Sequence, residues 1–406
     1  MQRDYDVVIV GAGMVGASLA CAIAPLGLKI AIIESVQLSN TEQSSYDDRG
    51  ITLSPSSKRI LDYIGVWQQV QQDVFPIKAI HVSEQGCFGF AHLYASEAGY
   101  SELGHVVIAR SLGQAIHKQM LSFENVQLLC PAELKHFQQT DDVMQIEIVN
   151  SGKNETFTAG LLVGADGNRS LVRRIAGINS QEYDFKQTAI VANVTTQQPN
   201  NATAYERFTS HGPIALLPIG NKRSVLVFTV NTDDTEHCLL MSDKQFIDKV
   251  EKEFGRRLGR IEQVGKRRSY PIVFSEAVEQ YQDQLILLGN SAHTIHPNAA
   301  QGFNLGLRDV AGLAESIRAG IEKNHDVSDI YILEQYIKGR KADQKRVMQF
   351  TNGLAKTFYN KWPLLQSTRN LAMLIVDTVP ELKSLFVETS MGITGLQPRI
   401  VRGLSL

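Results

Sequence analysis

Val7-Val8-Ile9-Val10-Gly11-Ala12-Gly13-Met14-Val15-Gly16 decides how this chain begins to fold. The first four residues are apolar and branched at Cβ, which favours a buried strand. The glycines follow at once. Ala17-Ser18-Leu19-Ala20-Cys21-Ala22-Ile23-Ala24 then supplies small, helix-compatible residues, ending near Gly27. Lys29-Ile30-Ala31-Ile32-Ile33 reads as a second strand that terminates in Glu34. In such a β-turn-α-β unit each glycine has its own task. Gly11 permits the tight turn, Gly13 lets the backbone approach a pyrophosphate with no Cβ in the way, and Gly16 lets the helix lie close to the strands. The phosphates face free N–H groups at the helix start, where the dipole favours negative charge. Glu34, 18 residues after Gly16, is placed to accept hydrogen bonds from both ribose hydroxyls. A 2′-phosphate would be repelled there, so the spacing predicts bound FAD or NAD and not NADP.

Residues 7–28 form a run of 22 without a charge, close to the ~20 that span a bilayer as helix. The glycine pattern and the strand that follows favour a buried parallel strand and its helix instead. Met1-Gln2-Arg3-Asp4-Tyr5-Asp6 is not net positive and no cleavage site follows, so a signal peptide is not expected. Of the 406 residues 43% are hydrophobic and 20% charged, with a net charge of -2. That excludes disorder as a description of the whole chain, and the length suggests about two or three structural units. A near-neutral chain gives no electrostatic case for a nucleic-acid partner. Cys21, Cys87, Cys130 and Cys238 are widely spaced with no C-x-x-C. They read as reduced, packed thiols of a cytoplasmic protein, with neither a disulfide framework nor a metal site.

Two further stations follow. Leu161-Leu162-Val163-Gly164-Ala165-Asp166-Gly167-Asn168-Arg169-Ser170-Leu171-Val172-Arg173 reads strand, turn, helix and matches D-G-x-x-S-x-x-R. Leu285-Ile286-Leu287-Leu288-Gly289-Asn290-Ser291-Ala292-His293 is another strand running into a turn, continued by His296-Pro297-Asn298-Ala299-Ala300-Gln301-Gly302-Phe303-Asn304. With these three motifs in this order, the sequence resembles the FAD-dependent aromatic hydroxylases of the p-hydroxybenzoate hydroxylase type. It is most similar to their ubiquinone-biosynthesis branch, over roughly residues 4–400. The resemblance implies an α/β fold: a Rossmann-like FAD-binding domain (1–75, 99–180 and 276–330), an inserted β-rich substrate domain (76–98 and 181–275) and a C-terminal helical region (331–406).

The resemblance also implies roles for single residues. Asp166 is associated with flavin and NAD(P)H-related contacts, partly through intermediary hydrogen bonds. Gly289 and Asn290 stand where the family has Gly-Asp, whose acid binds the ribityl chain; an amide still accepts from and donates to ribityl hydroxyls. Ala299-Ala300-Gln301-Gly302 fills the loop before a helix whose N-terminus faces the flavin pyrimidine edge, where the dipole stabilises charge on the reduced ring. The family usually has Gly at Ala300, so a slightly different local backbone is expected. Arg49 matches an arginine that contacts the FAD pyrophosphate. Arg110 and Gln114, four apart at a helix start with Ser111 as a candidate N-cap, share one face and match flavin contacts. Leu134 sits where relatives set backbone atoms against adenine, leaving its side chain in the core.

There is no second G-x-G-x-x-G with a strand and helix around it, so a pyridine nucleotide must bind transiently, as it does in the aromatic hydroxylases. The W-x-W-x-I-P signature of flavin halogenases is absent; the tryptophans are Trp67 and Trp362. Strand-like runs at 188–194, 214–219 and 224–230, with a polar turn at 195–204, resemble the sheet that covers the substrate. Within them Glu206-Arg207-Phe208-Thr209-Ser210-His211-Gly212-Pro213 is close to the ubiquinone branch. Gly289-Asn290 with His296 before Pro297 looks most like the 2-polyprenyl-6-methoxyphenol hydroxylases.

The implied reaction is a monooxygenation. NAD(P)H reduces FAD, O2 adds to give a flavin C4a-hydroperoxide, and the distal oxygen attacks the polyprenyl phenol ring. His296, His211 and Tyr205 are candidates for the base that deprotonates the phenol, while His293 reads as structural. Three alternatives stand beside this reading: a hydroxylase of a small phenol, with Arg207 as a carboxylate anchor; a flavin oxidase or dehydrogenase; and an FAD-containing scaffold of a biosynthetic complex. From Tyr331 the chain reads as helices, with Leu371, Leu374, Ile375, Leu382 and Leu385 at helical spacing around Pro380. That apolar face either packs on the other domains or meets a membrane or a biosynthetic enzyme complex peripherally.

Overall fold

A computed structural model describes residues 3–38, 49–140, 143–359, 373–375, 377–392, 394, 395 and 397–404. Residues 7–28 are not one helix. Strand Tyr5–Val10 leads into helix Met14–Ile23, a 3-10 turn Ala24–Leu26 and strand Ile30–Ile33. Val7 and Ile9 point into the core under the helices, and Val8 and Val10 into the core on the opposite face, the period of two of a strand. Burial on both faces is why the strand reads as an unbroken apolar run. No helix among the described residues is long and apolar enough to cross a membrane.

Tyr5–Val10 is central in a parallel set. Ile30–Ile33 and then Val126–Leu129 lie on one side, Lys153–Gly164 and then Leu285–Leu287 on the other. Strand order therefore reverses between Tyr5–Val10 and Lys153–Gly164, and the crevice beyond their carboxyl ends is where open α/β sheets bind ligands. Gly11 and Asp166 emerge there. Helices Met14–Ile23, Ala109–Met120 and Gly302–Glu322 cover one face. The antiparallel hairpin Ala132–Thr140 and Val143–Asn150 extends from Lys153–Gly164.

A second, nine-stranded sheet runs His293–Thr294, Arg268–Ala277, Ser180–Thr196, Arg223–Asn231, Gly212–Pro218, Thr203–Thr209, Ala79–Glu84, Phe90–Tyr94, with Ile261–Val264 paired to Ser180–Thr196. These strands are longer than their apolar runs, because antiparallel ladders continue through polar residues at the sheet ends. Helices Thr235–Leu240 and Asp243–Phe254 cover one face. The other face meets the small sheet Gly50–Leu53, Gly104–Ile108 and Val74–Ile77, together with Phe386, Val387 and Met391 of helix Pro380–Met391.

Towards the C-terminus, helix Ile330–Tyr359 packs against Gly302–Glu322. Of the apolar positions at helical spacing, Leu374 and Ile375 are exposed; the neighbouring Met373 is buried. Leu371 and the side chains of Leu382 and Leu385 lie outside the described residues.

Candidate active site

The glycine loop is built by three different constraints. Gly11 has φ +104°, and a Cβ there would lie 2.5 Å from the Ala165 carbonyl oxygen, so only glycine fits the turn between the two central strands. A Cβ on Gly16 would run into the Gly11 carbonyl oxygen. Gly13 differs: its φ is −62°, and a Cβ would meet no atom within 4 Å. That open space fronts the start of helix Met14–Ile23, which has neither a side-chain cap nor an acid in its first turn. Its first N–H groups are thus left for an anion. Glu34 is buried at the end of Ile30–Ile33, its Oε2 accepting from Ala12 N at 2.8 Å and its Oε1 from Val36 N at 2.9 Å. An open cradle, an uncapped helix start and a fixed carboxylate together fit a dinucleotide with a free ribose.

Behind the loop stands a residue the motif reading passed over. His117 Nε2 lies 2.6 Å from the Ala12 carbonyl oxygen, so Nε2 carries the proton and donates. Burial lowers its pKa, against the opposing pull of the Ala12 carbonyl and Glu34. Arg110, Gln114 and His117 follow i, i+4, i+7 on helix Ala109–Met120, hence one face. That periodicity was the available signal. Arg110 and Gln114 are exposed. Ser111 is not the N-cap: the chain enters the helix directly from strand Gly104–Ile108 with Ile108 at the cap, which puts Ser111 inside the first turn.

Asp166 works on the protein itself. Its Oδ2 accepts from Leu171 N at 2.6 Å and Val172 N at 3.1 Å, and its Oδ1 from the hydroxyls of Ser170 at 2.6 Å and Ser291 at 3.2 Å. Arg173 donates to the carbonyls of Ser291 at 2.7 Å and Asn168 at 2.8 Å. The second station is thereby locked to the third. Val15 locks the first to the third, since a Cβ on Gly289 would come 3.1 Å, and one on Gly306 3.0 Å, from its methyl groups. Gly289 has φ +60° and Asn290 is exposed.

Ala300 takes φ +49°, the left-handed region a glycine enters freely. The backbone expected to shift at this alanine therefore adopts a glycine-like conformation and carries the strain. Gln301 caps helix Gly302–Glu322 by backbone alone, with no acid in the first turn. Asn304, also missed, donates from Nδ2 to the carbonyls of Ala300 at 2.8 Å and Thr52 at 2.9 Å. Its Oδ1 accepts from Ser54 N at 2.8 Å and Ser57 Oγ at 2.6 Å. His296 is fully buried against Phe185, its Nδ1 accepting from Asn298 N at 3.2 Å, and burial brings its pKa down to about 4. His293 is bound to Asp309 at 2.6 Å.

Arg49 stacks over the Tyr270 ring at 4.4 Å, and a Cβ on Gly50 would lie 2.9 Å from a Val225 methyl. The segment 49–50 thus rests on the second sheet. Tyr205 packs on the opposite, helix-covered face, 6.4 Å from Phe254. His211 is half-exposed beside Glu253 at 3.7 Å, on that helix. Arg207 shares Tyr205's parity and lies near Gly255, away from the Arg49 side, so it is not set to anchor a carboxylate there. Leu134 is buried in the core under the hairpin, opposite Ile148. Among the described residues no cluster of His, Cys, Asp and Glu could hold a metal.

The model of the FAD binding domain family matches residues 4–351. Ubiquinone hydroxylase UbiL of Rhodospirillum rubrum is 34% identical over 404 residues, covering 99% of this chain and 93% of the relative. The 3-demethoxyubiquinol 3-hydroxylase of Escherichia coli is 28% identical over 395 residues, covering 96% and 99%. The crystal structure of p-nitrophenol 4-monooxygenase PnpA from Pseudomonas putida superposes with a TM-score of 0.80 over 97% of this chain and 99% of that one. At 16% identity the likeness establishes a shared fold.

Proposed function

The chain belongs to the FAD-binding domain family and is an FAD-dependent monooxygenase, and from that premise we propose that it hydroxylates a polyprenylated phenol in ubiquinone biosynthesis, 2-polyprenyl-6-methoxyphenol, consuming NAD(P)H and O2. Full-length likeness to ubiquinone hydroxylases supports the substrate class. The observation that carries the reading is the inner face of the nine-stranded sheet. Val191, Leu217, Val225 and Val227 turn an apolar wall towards the segment 49–50. Such a wall suits a greasy neutral ring that needs no electrostatic steering, and its apolarity excludes water from the reacting centre.

FAD, when bound, supplies electron transfer from NAD(P)H and the activation of O2. The chain's part is to hold it. Gly11, Gly13 and Gly16 give the pyrophosphate its path to the helix start, and Glu34 takes the ribose. Arg49 neutralises phosphate charge, Arg110 and Gln114 reach in from the helix behind the loop, and the Leu134 backbone borders adenine. Asp166 holds Gly289 and Asn290 against the glycine loop so that Asn290 meets the ribityl hydroxyls. Ala300, Gln301 and Gly302 aim the start of their helix at the flavin ring. His296, whose basicity burial depresses, is a weak proton acceptor and serves as a hydrogen-bonding group beside the site.

Purified protein should carry yellow flavin, and NAD(P)H oxidation should accelerate with a 2-polyprenyl-6-methoxyphenol analogue and yield the quinol. Flavin without stimulation by the analogue would remove the substrate assignment and leave the cofactor. A stimulated oxidation by a small carboxylated phenol alone would favour the small-phenol alternative.

A further inference from the structure

The strand Thr203–Thr209 alternates Ala204, Glu206, Phe208 with Tyr205, Arg207. Its pairing with Gly212–Pro218 and with Ala79–Glu84 runs without a bulge across residues 204–208, so the alternation of faces is preserved. Ala204 belongs to the inner apolar cluster and Tyr205 to the helix-covered one. Glu206 therefore stands on the inner face. Ladder partners carry the row across the sheet from Glu206 to Ala215, Val227 and Val191. At ~4.8 Å per strand, Glu206 is about 10 Å from Val227 along the wall that the segment 49–50 faces.

An acid on this wall is out of character. Among the described residues the Glu206 carboxylate has no hydrogen bond or ion pair, and the residue is half-buried. The charged side chains on the elements packed around this face include Arg49, Glu84, Glu97, Arg223, Arg268 and Asp377 and, on helix Pro380–Met391, Glu381, Lys383 and Glu388. None of them pairs with Glu206; Lys383, for one, is taken by Glu97 at 2.6 Å. On the same face Asn193 Oδ1 and Thr229 Oγ1 are also buried without a partner among the described residues. An apolar wall with a few unmatched polar groups is the pattern of a pocket that orients a ligand.

We propose that Glu206 is the catalytic base that accepts the proton of the substrate's phenol hydroxyl. This rests on the phenol reading above. The phenol O–H bond breaks, its proton forms an O–H bond on the Glu206 carboxylate, and the electron pair stays on the phenolate oxygen, enriching the ring. No oxidant or reductant enters the step. Burial raises the Glu206 pKa to about 7, which brings it closer to a phenol near ~10 than an exposed carboxylate would be. It is ionised, and able to accept, above that pH.

The test uses the FAD-loaded enzyme and a 2-methoxyphenol carrying one prenyl unit at position 6. Two quantities are read: the phenolate difference absorbance of the bound probe, and kcat against pH. In the wild type both should rise with an inflection near pH 7. Glu206→Gln should keep its flavin and a KM within about threefold, lose the phenolate signal, and lower kcat by about 10²-fold or more. Glu206→Asp should recover part of both. Glu206→Gln with the wild-type phenolate signal and pH profile overturns the proposal, as does loss of flavin, which would make Glu206 part of the cofactor's support instead. A wild type that neither binds nor responds to the probe overturns the phenol reading, and this proposal with it.

Discussion

Asp309→Asn removes the charge at the centre of the frame behind the third station while keeping its shape. The carboxylate is fully buried, with His293 Nε2 at 2.6 Å, Arg340 Nε at 2.9 Å and Gln344 Nε2 at 3.0 Å. Arg340 also reaches Asp343 at 2.7 Å, and Asp343 binds Arg308 at 2.9 Å. Burial alone would raise the Asp309 pKa; Arg340 and His293 outweigh it and bring it to about 2. Against an ordinary aspartate that depression corresponds to about 2 kcal/mol at neutral pH. Leaving Arg340 beside a neutral amide in a dry site raises the expected loss to about 3–5 kcal/mol. Because the folded pKa is depressed, the wild-type contribution is present above pH ~4 and is lost as pH falls towards ~2. Urea unfolding of the flavin-loaded protein, followed by fluorescence, measures it. The turn holding Gly289 and Asn290 should also loosen, so flavin release should precede global unfolding in the variant. A loss below about 1 kcal/mol, the range of a change outside such a network, would refute the assignment of this network as the frame.

Gly13→Val and Gly16→Val should fail differently. The first should fold with wild-type stability, because its Cβ enters open space, yet bind no flavin; the second should lower the melting temperature of the flavin-free protein, and equal damage to stability in both would contradict the geometry. Ala300→Gly relieves a left-handed alanine and should gain about 0.5–1 kcal/mol in thermal unfolding, with flavin retained; a loss of stability would show that the strain is not there. His296 and His81 both have pKa values lowered to about 4 by burial. Each must take up a proton on unfolding, so stability should fall as pH drops from ~6.5 towards ~4, by up to about 3 kcal/mol per histidine. His296→Asn should flatten part of that slope in pH-dependent denaturation, and an unchanged slope would show that His296 is not held neutral.

The glycine-loop unit was legible because its constraints are local. Gly11, Gly16 and Glu34 answer to a turn, a helix-strand contact and a strand end, all within one β-turn-α-β unit, and each leaves a mark at a fixed spacing. The frame was not legible, because Asp309 and Arg340 meet only once two helices pack. In sequence they are ordinary charged residues of amphipathic helices. The candidate bases show a third situation. Alternation along Thr203–Thr209 separates Tyr205 from Glu206, but it cannot say which face the helices Thr235–Leu240 and Asp243–Phe254 will cover. That is decided by packing, and it sets Tyr205 outside the wall and Glu206 on it.

The two sheets are tied at more than one place, and this bears on how the reaction is organised. Strand His293–Thr294 leaves the third station and pairs with Ser275 and Glu276 of the nine-stranded sheet, while Arg49 stacks on Tyr270 of the same strand. The strand Arg268–Ala277 thus receives one contact from each of two segments that the proposed flavin site uses. A cofactor held by the glycine loop and the third station is in this way referenced to the apolar wall through hydrogen-bonded strands and a cation–π contact, not through a flexible linker. Transfer of an oxygen atom to one ring carbon demands such referencing, since misplacement by about 1 Å can cost about 10²-fold in rate. Breaking the Arg49–Tyr270 contact with Tyr270→Leu should therefore uncouple NAD(P)H oxidation from product formation more than it weakens flavin binding.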